Sequence, residues 1–215
     1  FSQTQRLTTS GTACALTRQI DLDEQDGYEI YAYDPVRQEL VGYGEPVTWG
    51  ATPKVTVPVR LPAPGMDLVD IDAGIGNNGE QLIAAVFSDG THEGHHALLI
   101  FQSVGGVITQ KTVMLPNGVP TDMIFTNIDD GPGPGIDFDF DSDIVITVPD
   151  TPYVYVFENL SSTSAPGAVN FADIAFYEVG FGVRTVAIGI ANNTTGFDMI
   201  VGTEAGDIIL YPQSN

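Results

Sequence analysis

The sequence predicts an all-β protein made of four copies of one four-stranded unit, and three observations carry that prediction. An acid-then-apolar step recurs at Glu29-Ile30-Tyr31, Glu80-Gln81-Leu82-Ile83, Asp143-Ile144-Val145 and Asp198-Met199-Ile200. The four marker acids stand 51, 63 and 55 residues apart, enough for one four-stranded sheet per copy, and a fixed period of that size marks a repeat architecture. With 24 Gly, 14 Pro, short apolar runs and no long segment of helical period, the composition favours strands and turns over helices. At 215 residues, four such units fill one domain, residues 1–215, and leave no room for a second.

Taken in order, the copies span about 11–61, 62–115, 116–180 and 181–215. Each opens with a strand before its acidic loop (residues 14–22, 66–71, 123–128 and 185–190), and the marker strand follows. A turn and a third strand come next (39–43, 97–102, 153–157 and 207–211). Fourth strands are expected at 55–61, 107–115 and 173–179, and the last copy lacks one. Thr4-Gln5-Arg6-Leu7 echoes Thr109-Gln110-Lys111-Thr112 at a fourth strand, so residues 1–10 are expected to complete the last copy. Joining the two ends removes an exposed sheet edge, the arrangement of a closed β-propeller of four blades; part of a larger propeller is the alternative.

The formal net charge is −21 and the only lysines are Lys54 and Lys111, which excludes attraction to nucleic acid or anionic lipid and makes cations the natural partners. The single cysteine, Cys14, allows no intramolecular disulfide and reads as a small hydrophobe in a strand. The numbered chain shows no signal-peptide pattern and no apolar run near the roughly 20 residues of a membrane span, so no membrane insertion is expected, with a mature protein that starts at Phe1 after processing as the alternative. Asn159-Leu160-Ser161 and Asn193-Thr194-Thr195 match the short glycosylation pattern.

The loop Asp21-Leu22-Asp23-Glu24-Gln25-Asp26-Gly27-Tyr28-Glu29 places acids at alternate positions before a glycine turn. Calcium wants six to eight oxygens at about 2.3–2.6 Å, and such a loop can aim several at one centre; the alternative is a solvated acidic turn. The loop and the strand after it resemble the FG-GAP/VCBS repeat of integrin-like β-propellers, D-x-D-x-D-G-x-x-[DE] before an apolar strand, with Gln25 inserted. That resemblance runs from about residue 16 to 211 and implies a calcium loop between the first two strands of each blade, with Asp21, Asp23, Asp26 and Glu29 as ligands in the first.

In the second copy Asp70, Asp72 and Glu80 are the corresponding acids, but the loop is longer and its middle oxygens are the amides of Asn77 and Asn78, so a weaker or empty site is expected. The third has Asp129, a Gly-Pro insertion, and then Asp137, Asp139, Asp141 and Asp143, whose mutual repulsion calls for a cation. The fourth replaces the leading acids with Gly189 and Ala191 and is expected to hold no calcium.

His92-Glu93-Gly94-His95-His96 matches the zincin pattern H-E-x-x-H, but that chemistry needs a helix, whereas Asp89-Gly90 before it and the apolar run after it predict a hairpin turn carrying solvated histidines. Tyr31, Tyr33, Tyr43 and Trp49 form an aromatic group whose expected role is strand packing, with a carbohydrate platform as the alternative. No nucleophile elbow, Walker loop, paired CxxC or dinucleotide fingerprint is present. The expected function is a non-catalytic, calcium-stabilised extracellular binding or adhesion module whose partner is a protein or carbohydrate ligand at the cell surface. The alternatives are a structural subunit that forms a homo-oligomer or polymer, and a polysaccharide-active enzyme.

Overall fold

A computed structural model describes residues 20–22, 24, 28–44, 53–76, 79–126, 142–160, 170–189 and 198–212. Within them the chain is all β and contains no helix, and its strands form four antiparallel sheets that follow one another along the sequence. Sheet I holds β1 (Glu29–Asp34), β2 (Glu39–Gly44) and β3 (Val55–Pro58). Sheet II holds β4 (Asp67–Ile75), β5 (Gln81–Ser88), β6 (His96–Val104) and β7 (Val107–Met114). Sheet III holds β8 (Asp122–Thr126), β9 (Asp143–Thr147), β10 (Tyr153–Phe157) and β11 (Ala175–Glu178). Sheet IV holds β12 (Val183–Gly189), β13 (Asp198–Thr203) and β14 (Ile208–Tyr211).

Each sheet is a meander with strands paired in sequence order. The marker acids Glu29, Asp143 and Asp198 begin β1, β9 and β13, and Glu80 immediately precedes β5. In copy one the isolated bridge between Ile20 and Glu29 stands where the other sheets have their first strand. The expected N-terminal strand, Cys14 and Trp49 lie outside the described residues.

The sheets stack face to face because their strands are apolar on both sides. In β5, Ile83, Ala85 and Phe87 pack towards sheet I, where Tyr33 meets Phe87 edge to face at 5.0 Å; Leu82, Ala84 and Val86 pack towards sheet III. In β10, Tyr155 and Phe157 face sheet II, and Val154 and Val156 face sheet IV. A strand with period-2 side chains and two covered faces reads as one continuous apolar run, the pattern of β5, β6 and β9. Tyr31, Tyr33 and Tyr43 are buried, so packing is their role.

The first strands of successive sheets lie side by side and are joined by carboxylates. Asp70 and Asp72 of β4 accept hydrogen bonds at 3.1 Å from the backbone N–H groups of Met123 and Phe125 in β8. One repeat on, Asp122 of β8 accepts from the N–H of Val186 at 3.2 Å and from the hydroxyl of Thr185 at 2.5 Å, both in β12. An edge strand leaves every second N–H without a ladder partner, and here the acids of the preceding sheet supply one. Gly74 completes the contact: a Cβ there would lie 2.6 Å from the Phe125 ring, so only glycine lets that ring rest on β4. A register shift at Val69 in β4 recurs at Arg184 in β12, where the displaced Arg184 carbonyl accepts from the hydroxyls of Thr121 and Thr147.

Candidate functional site

Of the predicted calcium ligands, Asp21, Glu29, Asp70, Asp72, Glu80 and Asp143 fall among the described residues; Asp23, Asp26, Asp129, Asp137, Asp139 and Asp141 lie outside them. Two backbone bonds between Ile20 and Glu29, of 2.9 and 2.8 Å, join the residues that flank the first loop and bring Asp21 near Glu29. Glu29 is fully buried and Oε1 accepts from the Lys54 ammonium at 2.6 Å, so it already holds a cation. Asp143, also buried, accepts from the N–H of Asn159 at 2.8 Å. In both copies the marker acid therefore ties the second strand of its sheet to the segment that leaves the third. Asp21 differs: its Oδ1 is buried and finds no hydrogen-bond partner among the described residues.

Asp70 and Asp72 lie inside β4 rather than in the loop, because β4 runs on to Ile75. Their oxygens are engaged by β8, so the structure places the second copy's leading acids in contact between sheets. Burial, and a hydrogen bond that the protonated Asp70 carboxyl donates to the neighbouring Asp122 carboxylate, push the Asp70 carboxyl up to about 6. Glu80 sits at the mouth of β5, where its carbonyl accepts from the N–H of Gly76 at 2.7 Å. Among the described residues no group of three or more metal-ligating side chains converges.

The H-E-x-x-H stretch is the hairpin turn that the sequence predicts. Asp89 organises it, accepting from the N–H groups of His95 at 2.8 Å and Thr91 at 3.0 Å, and these bonds hold its carboxyl well below the usual range. The three histidines do not share one fate. His92 and His95 are exposed, but His96 begins β6, is buried, and bonds Ser88 through Nδ1 at 2.9 Å. This corrects the expectation of three solvated side chains: period-2 alternation turns His96 inward. The three side chains are not gathered on a helical face, so the zincin arrangement is not formed.

What sequence reading missed is a cleft of 810 Å³ between this turn of sheet II and the turn joining β9 to β10 in sheet III. His92 closes one side, its Nδ1 2.5 Å from Oδ2 of Asp150, which holds the imidazole above its ordinary pKa. Asp150 also accepts from the N–H of Val119 at 3.1 Å. The far wall is aromatic. Phe176 of β11 meets Tyr153 and Tyr155 of β10 edge to face at 6.0 and 5.3 Å, and the Tyr155 hydroxyl donates to the Asn117 carbonyl at 3.0 Å. The one sequence signal was the Tyr153-Val-Tyr155 alternation; its partners stand far away in the chain. Comparison with known proteins finds no matching family model, no matching curated protein and no matching solved structure.

Proposed function

We propose that this chain is a non-catalytic binding module, a β-propeller of FG-GAP/VCBS-like blades whose first loop holds calcium, working outside the cell or at its surface. The observation that carries the reading is the scaffold. Four repeated sheets packed face to face, with their first strands tied together by carboxylates, hold the turns of neighbouring sheets rigidly enough to build an open cleft between them. Calcium rests on Asp21: the corresponding acids of sheet II are engaged by sheet III, whereas Oδ1 of Asp21 is buried without a hydrogen-bond partner among the described residues, beside the Ile20–Glu29 bridge. Such an oxygen is costly unless a cation or donor meets it. Asp23 and Asp26, from the same loop, are the further ligands.

The test is thermal unfolding of metal-free protein with chelator and with millimolar calcium. A ligand held only by the native state at 100 times its Kd stabilises by about 2.7 kcal/mol, which for a chain of this length raises the melting temperature by about 5–10 °C. Asp21→Ala should abolish most of the rise. An unchanged melting temperature in protein shown to be metal-free refutes the calcium part. A second reading, the subunit of an extracellular polymer, is favoured by β14, where Ile208 is 81% exposed and Leu210 stands beside it on the same face. Ordered growth of particle mass with concentration, followed by sedimentation, would select it.

A further inference from the structure

We propose that the cleft between sheets II and III binds a neutral saccharide, stacked on Phe176 and Tyr153 and hydrogen-bonded through the His92–Asp150 pair. The inference rests on the binding-module reading and names its ligand class and site. Tyr153 and Tyr155 are two residues apart on β10 and so share a face, and register places Phe176 directly opposite Tyr155. Tyr155 is buried and anchored through its hydroxyl, while Phe176 is 52% exposed and Tyr153 37%. Phe176 is thus held edge-on by the buried Tyr155 ring and in turn meets Tyr153, which lowers the entropy lost when a ligand stacks on them. Aromatic faces carry partial negative charge and attract the C–H groups along the flat side of a sugar ring.

The polar side of the cleft matches the hydroxyls. A carboxylate offers about four acceptor positions, so Asp150, bonded to His92 and Val119, retains capacity for a ligand donor. His92 turns Nδ1 to Asp150, which leaves Nε2 for a second hydroxyl. Charge selects the class. Asp150 is paired with His92, so the cleft offers an organic cation no bare carboxylate, and an anionic sugar is repelled by a chain of net charge −21. The cleft volume lies in the range of small-ligand sites.

The experiment applies the intact chain to an array of neutral oligosaccharides and then titrates the best of them against the parent and the Phe176→Ala, Phe176→Tyr, Tyr153→Ala and His92→Ala variants. Binding of at least one neutral oligosaccharide is expected, weakened about fivefold or more by Phe176→Ala and His92→Ala and retained by Phe176→Tyr, with melting temperatures unchanged. Binding that survives both Phe176→Ala and Tyr153→Ala overturns the site but leaves the module reading standing. If the array is silent while the protein binds intact bacterial or mammalian cells in a protease-sensitive manner, the partner is a protein and the saccharide proposal is wrong. Silence on both array and cells overturns the module reading as well.

Discussion

Replacing Asp72 with alanine removes one of the two carboxylates that join β4 to β8 and leaves the N–H of Phe125 without its acceptor. Asp72 is 9% exposed, so water cannot readily take its place. A hydrogen bond to a charged group contributes about 1.5–3 kcal/mol net, and a stranded buried donor costs about 1–3 kcal/mol. These are two descriptions of one loss and are not summed; about 2 kcal/mol is expected. For a chain of this size each kcal/mol moves the melting temperature by about 2–4 °C, which gives a fall of roughly 4–8 °C by calorimetry. Asp72→Asn keeps an acceptor oxygen in place and should lose less than half as much. Hydrogen exchange localises the effect: the Phe125 amide should lose protection in the alanine variant, while amides of the β5–β6 ladder keep theirs. If Asp72→Ala melts within about 1 °C of the parent and Phe125 keeps its protection, the carboxylate does not hold the sheets together and the account of the first strands is wrong.

The Asp70 carboxyl, raised to about 6, gives a stability term that is full below the unfolded-state value of about 3.8 and is lost as pH rises through 6, because the folded form binds the extra proton. The difference in denaturation midpoint between parent and Asp70→Asn should therefore change across that window, with the asparagine variant the more stable at pH 8, and a flat difference curve would refute the raised Asp70 carboxyl. Among the histidines, His92→Ala and His95→Ala should leave the melting temperature unchanged, while His96→Ala should cost about 1–3 kcal/mol through a lost buried hydrogen bond and the cavity left behind, read from denaturant unfolding.

Strand identity was legible in the chain because the central strands of sheets II and III are buried on two faces, which writes them as short apolar runs, and because the marker acids sit at strand starts where the step from polar to apolar is sharpest. Strand ends were less legible. β4 continues through Ala73 and Gly74 to Ile75, small residues that look like loop until the Phe125 ring is placed on them. The acids were visible, but their duty was not. D-x-D before an apolar strand is the pattern of a calcium loop and equally of two carboxylates on one face of a strand, two residues apart, reaching alternate N–H groups of the next edge. Asp70 and Asp72 have the second geometry, and only the neighbouring strand distinguishes it from the first. The cleft was hidden for a different reason. His92 meets Asp150 across 58 residues, and Phe176 meets Tyr155 through pairing in the sheet, so neither juxtaposition leaves a local mark in the sequence.

Acids thus serve this chain in two periodic places with different reach. Those inside the first strands, Asp70, Asp72 and Asp122, bind the backbone of the next sheet; those at the start of the second strands, Glu29 and Asp143, bind groups of their own sheet. Both uses require the carboxylate as acceptor, and a like-charged neighbour is then a cost, as burial beside Asp122 raises the Asp70 carboxyl. Repulsion in a chain of net charge −21 is tolerable where a buried carboxylate accepts hydrogen bonds, because a bonded carboxylate is solvated by the protein. Asp21 has an inward oxygen with no donor among the described residues, and the calcium site proposed for the first loop rests on that oxygen.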